Sequence, residues 1–207
     1  MSYDSPKIQV YEPIMGYNHL AHHYKNYHHK LDQRINRRRL QFLPRDISDK
    51  TIVDIGWWDG RLIKYFKDIP YKQYILLDGS QTLLDHAPSS NHVHKIHANL
   101  EDHRPLADDS IDIWLCFFVV WHLSDITHFC NELSRISKPW AQIIIQYHRE
   151  SKPYIHHIWA DIYKIQTYQH NLDDIVSELQ YTGFEIYTYE IREKNSLTSR
   201  ILVCTLK

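Results

Sequence analysis

The chain has 207 residues, with 24 Lys+Arg against 25 Asp+Glu for a net charge of −1 at pH 7, and 43% hydrophobic residues. That length suits one ordinary domain, the charge balance argues against a polyanion binder that works by bulk charge, and the apolar fraction excludes wholesale disorder. No apolar run approaches the roughly 20 residues of a membrane helix, and the start MSYDSPKIQVYEP lacks a secretory leader's charged-then-apolar layout, so a cytoplasmic protein without a membrane span is expected.

Residues 1–16 read as a loose lead-in. From Tyr17 to Phe42, Leu20, Tyr24, Tyr27, Leu31, Ile35 and Leu40 recur at helical steps, and Pro44 closes the stretch, so one or two amphipathic helices are expected. The residues TIVDI at 51–55 form a short buried strand ending at Gly56, followed by a helix over 61–67. A second strand covers 74–78, a short helix 81–86 and a weaker third strand 92–97. The run 112–120 is a strongly apolar fourth strand, in which Phe117, Phe118, Val119 and Val120 read as core rather than as a binding surface. A helix over 125–137 and a fifth strand over 141–147 complete the alternation. Residues 156–182 look helical, and the β-type runs 185–192 and 199–206 flank a polar link, which is a hairpin signal.

Strands separated by helices require parallel crossover units with both sheet faces covered. The expectation is an α/β, Rossmann-like three-layer sandwich with a seven-stranded, mostly parallel sheet and a C-terminal antiparallel hairpin. Residues 1–46 would be a lead-in and helical cover on a single structural domain over 47–207. Cys116, Cys130 and Cys204 are odd in number without CxxC spacing, and read as reduced core thiols. His19, His22, His23, His28 and His29 include helical i,i+4 pairs but no accompanying Cys or carboxylate arrangement, so no metal site is expected. Arg34, Arg37, Arg38 and Arg39 read as a solvated helix face rather than a nucleic-acid surface.

The densest motif is the strand–turn–helix Thr51-Ile52-Val53-Asp54-Ile55-Gly56-Trp57-Trp58-Asp59-Gly60-Arg61-Leu62. A glycine-framed turn after a strand lets backbone N–H groups approach a ligand. Asp78, 22 residues after Gly56 at the end of the next strand, suits a carboxylate that accepts from ribose hydroxyls. A dinucleotide fingerprint, G-x-G-x-x-G, fails because Trp58 and Arg61 stand at its second and third glycines.

The ordered set Asp54-x-Gly56…Gly60, Leu77-Asp78, Ala98-Asn99-Leu100-Glu101-Asp102, Asp109-Ser110-Ile111-Asp112 and Glu132-Leu133-Ser134-Arg135-Ile136-Ser137-Lys138-Pro139 resembles the class I S-adenosylmethionine-dependent methyltransferases, in particular the methyltransferase type 11-like domain. Tyr17-Asn18-His19-Leu20-Ala21-His22-His23-Tyr24 is similar to the aromatic lead-in of that group. The resemblance implies S-adenosylmethionine as cofactor and a small-molecule acceptor. It also implies roles: Gly56, Trp58 and Gly60 in the loop under the methionine part, Asp54 ordering that loop, and Asp78 with Gly79 at the ribose. Asn99 and Leu100 would meet the adenine, and the Cys116 carbonyl the amino group. His122, Tyr147 and Tyr24 are substrate-facing candidates, with His148 beside Tyr147; no residue is named as catalytic, because methyl transfer chiefly needs positioning and exclusion of water.

Trp58 and Trp140 stand where the family pattern has glycine, in a chain with 5 Gly and 6 Trp. Average usage of about 7% would give roughly 15 glycines. Three readings stay open: a rearranged cofactor loop, a methyltransferase-like binding or regulatory protein without activity, or codons for glycine translated as tryptophan.

Overall fold

The computed structural model describes residues 8–24, 38–56, 60, 62–147, 155–158, 161–193 and 196–207. Along each inner strand, alternate side chains enter two different cores, the signature of a sheet covered on both faces. Val53 and Ile55 of β2 (Thr51–Ile55), Ile75 and Leu77 of β3 (Gln73–Asp78) and Trp114 and Cys116 of β5 (Ile111–Phe117) enter one. Ile52, Tyr74, Leu76, Ile113, Leu115 and Phe117 enter the other. The first core is closed by Phe129, Cys130, Leu133 and Ile136 of α3 (Ile126–Ile136) and by Ile175 and Leu179 of α4 (Leu172–Tyr181). On the opposite face lie Ile47, Leu62, Phe66 and Leu84, the last from α2 (Gln81–His86).

With β4 (Val93–His97), β6 (Ser137–Tyr147), β9 (Phe184–Glu193) and β10 (Ser196–Leu206), the described residues form a seven-stranded sheet in the order β4-β3-β2-β5-β6-β10-β9. The first five strands are parallel, and β10 runs antiparallel to both β6 and β9. The expected Rossmann-like sandwich with its terminal hairpin is the architecture found. Strand order reverses between β2 and β5, so the crevice beyond their carboxyl ends is where such a sheet receives ligands.

A second, three-stranded sheet has the order β1-β8-β7; it comprises β1 (Gln9–Tyr11), β7 (Ile155–Ile158) and β8 (Asp161–Ile165). Its core of Leu20, Tyr163 and Ile165 packs with Tyr11 and Tyr17, so α1 (Pro13–Tyr24) lies on this sheet. Two sequence expectations are corrected here. The lead-in holds a strand and a helix from Pro13, and the first half of 156–182 is strand, because β1 and β8 pair in parallel across more than 150 residues of chain. Local periodicity carries no trace of so distant a partner. The helix expected over 61–67 is a single 3-10 turn at Ile63–Tyr65. Lys138-Pro139-Trp140-Ala141, where the family pattern places glycine, forms an irregularity within β6, with a register slip between Ile111↔Ser137 and Ile113↔Gln142.

Candidate functional site

The carboxyl ends of β2, β3 and β5, with the loop after β4, open into one cavity of about 230 Å³. Gly56 leaves β2 at φ +61°, and a Cβ there would stand 2.6 Å from Val119 Cγ2, so both the backbone and the space demand glycine. Its N–H donates to the Leu77 carbonyl at 2.8 Å, which fixes the bend to β3. At the end of β3, buried Asp78 accepts from the Ser80 N–H at 2.8 Å, and Ser80 Oγ caps α2 by accepting from Leu83 N at 3.2 Å. Gly79 lies under α1, where a Cβ would meet Ile14 at 2.8 Å. The Ser80 hydroxyl donates to Asn18 Oδ1 at 2.6 Å, so this turn both presents Asp78 and anchors the cover.

After β4, Asn99 Oδ1 accepts from Glu101 N at 3.2 Å, and Leu100 is nearly buried. Glu101 Oε1 accepts from Ser124 N, from Ser124 Oγ at 2.5 Å and from Asp125 N at 3.3 Å, holding the entry to α3 against the cavity wall. Beyond β5 the chain turns at Phe118 with φ +63°, a conformation bulky residues rarely adopt. Such strain is held by surrounding structure and concentrates at binding sites. Here it brings Phe118 and Val119 to the cavity, correcting the expectation that 117–120 is core alone. Arg39, expected on a solvated face, is buried with its guanidinium 4.4 Å from the Phe118 ring centre, and burial lowers its pKa to about 9.

On the far wall stand His122 and Tyr17, with Tyr17 Oη 2.7 Å from His122 Nε2. His122 Nδ1 lies 3.0 Å from the Gln166 carbonyl, which can only accept. In the neutral imidazole the hydrogen-bond network therefore assigns the proton to Nδ1 and makes Nε2 the acceptor of the Tyr17 hydroxyl. Burial, then Asp78 and Tyr163, pushes the Tyr17 phenol well above its usual range, so it stays protonated. The Gln166 amide lies between Glu12 and the Tyr168 hydroxyl, and the hydrogen-bond network assigns its nitrogen to the carboxylate, 2.7 Å away, and its oxygen to the hydroxyl, 3.0 Å away.

Of the residues expected at the site, Gly56, Asp78, Gly79, Asn99, Leu100 and His122 line this cavity together. Asp54, Gly60, Cys116 and Tyr147 are not among its lining residues. Asp54 is fully buried in β2 and accepts from the Tyr74 hydroxyl at 2.7 Å. Gly60, at φ +67°, packs among Ile63, Pro88 and Leu76. The Cys116 thiol lies in the core, and Tyr147 donates to the His170 carbonyl at 3.0 Å. Trp58, His148 and the Tyr24 side chain lie outside the described residues. Sequence reasoning missed Glu12, Tyr17 and Phe118. Tyr17 opens the aromatic lead-in seven residues before Tyr24, on the same helical face, and that spacing was the available signal.

A family model described as a methyltransferase domain matches residues 53–145. No curated protein matches the chain in sequence. Among solved structures, a chain from a complex of the Haloferax volcanii Trm112 methyltransferase activator with a methyltransferase superposes with a TM-score of 0.72 at 16% identity, covering 91% of this chain and 96% of that one. An S-adenosylmethionine-dependent methyltransferase from Mesorhizobium loti gives 0.67 at 14% identity, covering 82% and 96%. The [4+2]-cyclase SpnF gives 0.64 at 14% identity, covering 84% and 80%. At these identities the likeness is one of fold, and the cyclase demonstrates that this fold hosts more than one chemistry.

Proposed function

From a chain that has the fold of class I methyltransferases and matches a methyltransferase domain model over residues 53–145, we propose transfer of a methyl group from S-adenosylmethionine, the cofactor of that family, to a small-molecule acceptor. The observation that carries this is the convergence of Gly56, Asp78 and the Asn99-Leu100 pair, from three neighbouring parallel strands, on one cavity faced by His122 and Tyr17. These residues suit the group. The side-chain-free bend at Gly56 admits close backbone approach, a buried carboxylate sits where ribose hydroxyls would donate, and Asn99 and Leu100 form a flat polar-then-apolar edge for a purine. When bound, the sulfonium supplies an activated methyl group and a neutral thioether leaving group. The chain's own part is to hold Gly56, Asp78 and Asn99 in place, and to exclude water with the cover of α1.

Asp54 serves from behind this wall, holding β2 to β3 through Tyr74, and Gly60 and Trp58 are kept as cofactor-loop residues on the sequence motif alone. The carbonyl of Cys116 is kept as an amino-group contact, and Tyr147 and Tyr24 as outlying substrate candidates. Residues 1–46 and 47–207 are treated as cover and body of one domain, and the three buried free thiols favour a reducing, cytoplasmic setting. The test is calorimetry of the full chain with S-adenosylmethionine and with S-adenosylhomocysteine. Saturable binding of both supports the reading. Absence of binding, unrestored by Trp58→Gly, sinks it in favour of a binding or regulatory role without the cofactor.

One observation favours encoded glycine at Trp140, and the reading is extended from there to Trp58. Trp140 adopts φ +68° and leaves its indole 73% exposed, so the backbone is a glycine's and the ring gains little packing. Sequencing the coding DNA at positions 58 and 140 decides it: UGA at both supports glycine read as tryptophan, and UGG at both overturns it.

A further inference from the structure

Resting on the cofactor reading above, we propose that Arg104 is a positioning residue for the nucleoside: from inside the core it fixes the Leu100 carbonyl, and through that peptide the Asn99 amide that reads the purine. Arg104 is fully buried, its guanidinium 4.9 Å from the centre of the Phe129 ring, and Nη2 donates to the Leu100 carbonyl at 3.0 Å. Nε and Nη1 have no hydrogen-bond partner among the described residues. Burial lowers the pKa to about 10, with Glu132 the largest opposing influence, so the group carries its charge in the core at neutral pH. A guanidinium held there with two donors idle costs stability that an apolar side chain against Phe129 would not. The fold alone gives no reason for it.

The hydrogen bond that the side chain does make goes to the wall of the cavity. Its main chain is held by α3: Arg104 N donates to Glu132 Oε2 at 2.9 Å, and Arg135 Nη2 donates to the Arg104 carbonyl at 3.2 Å. From that fixed point the guanidinium reaches back four residues to Leu100, which lines the cavity together with Asn99 and Glu101. Among the described residues no backbone N–H reaches the Leu100 carbonyl, so Arg104 supplies its donor.

The Leu100 carbonyl and the Glu101 N–H are two ends of one planar peptide, and a donor on the oxygen both orients the plane and strengthens the N–H. That N–H donates to Asn99 Oδ1 at 3.2 Å. Because a backbone N–H only donates, the contact settles which end of the amide is which. The oxygen faces Glu101, and the Nδ2 hydrogens, which have no partner among the described residues, are left for a ligand in the cavity. Adenine offers its ring nitrogen N1 as an acceptor, where hypoxanthine carries N1–H. A donor held in one place tells the two apart, and a donor free to swing does not.

The test measures, by calorimetry on the full chain, the dissociation constants of S-adenosylhomocysteine and S-inosylhomocysteine, which differ only in the base. Failure of both to bind the parent chain sinks the cofactor reading, and this proposal with it. The parent chain is expected to prefer the adenine nucleoside about tenfold, and Arg104→Met to bring the two constants together while the Tm holds or rises. Amide exchange at Glu101 should quicken in the same variant, a readout that needs no nucleoside. Arg104→Lys, which keeps a donor on a stem of similar reach, should recover most of the preference. A parent chain that binds both nucleosides alike overturns the proposal. So does an Arg104→Met variant that keeps the preference, even with both nucleosides weakened, or one in which exchange at Glu101 is unchanged. Should Arg104→Met not fold, Asn99→Ala in the cavity wall carries the test, and a preference that survives it is equally fatal.

Discussion

At the carboxyl ends of β2 and β5 the chain leaves the sheet through left-handed residues, Gly56 at φ +61° and Phe118 at +63°, and both face the cavity. At the amino ends of the same strands, Asp112 Oδ2 accepts from Thr51 N at 2.9 Å and from Lys138 Nζ at 2.7 Å, tying β2, β5 and β6 together. Nearby, Glu132 binds Arg135 Nε at 2.7 Å and Arg104 N at 2.9 Å, and Arg135 also reaches Asp108 and the Leu106 carbonyl. The amino rim is laced with ion pairs, and its left-handed residues, Asp109 at φ +50° and Trp140 at φ +68°, lie outside the cavity that Gly56 and Phe118 face. The carboxyl rim directs its left-handed turns and its polar groups inward. The same strands thus anchor the fold at one end and hold a reactive surface at the other.

The largest effect is expected at Gly56. Gly56→Ala adds a Cβ 2.6 Å from Val119 at a positive φ, and should weaken S-adenosylmethionine at least a hundredfold in calorimetry while lowering stability by about 2 kcal/mol. Unchanged binding would break the contrast between the rims. Next comes the amino rim. The hydrogen bond from Arg135, aided by the Arg104 N–H, pulls the Glu132 carboxyl down from an ordinary 4.5 to about 2. A carboxyl with a depressed native pKa stabilises the fold above its unfolded pKa and loses that contribution as pH falls through the native one. Urea melts should therefore lose about 2–3 kcal/mol between pH 5 and pH 2, and Glu132→Gln should flatten that slope. Asp78→Ala should cost about tenfold in cofactor affinity with a smaller change in melting than Gly56→Ala, which separates recognition from architecture. The smallest effect sharpens the comparison from the other side. Trp140→Gly at φ +68° should raise stability by about 1 kcal/mol, or 2–4 °C in Tm, and leave cofactor affinity where it was.

The carboxyl rim was the more legible one. The glycine ending an apolar strand, the aspartate ending the next and the Asn99-Leu100 pair are local patterns, and the structure brings Gly56, Asp78, Asn99 and Leu100 to one cavity. The strands expected at 51–55, 74–78 and 112–120 were equally plain, because burial on both faces writes continuous apolar runs, although the last ends at Phe117. What escaped was the cover. Ile155-His156-His157-Ile158 has no two-residue alternation, and β8 becomes a strand by pairing with β1 far away in sequence. Glu12 and Tyr17 reach the site only because that pairing places α1 over it. Phe118 escaped for another reason: a left-handed phenylalanine contradicts the conformational preference from which any strand expectation starts.

The Ser80–Asn18 bond and the seat of Ile14 on Gly79 join floor and roof of the cavity at one short turn. Ser80 serves both sides of that seam: its N–H is spent on Asp78 and its hydroxyl on the first helix, so a change of this single side chain touches the base of the chamber and its covering together.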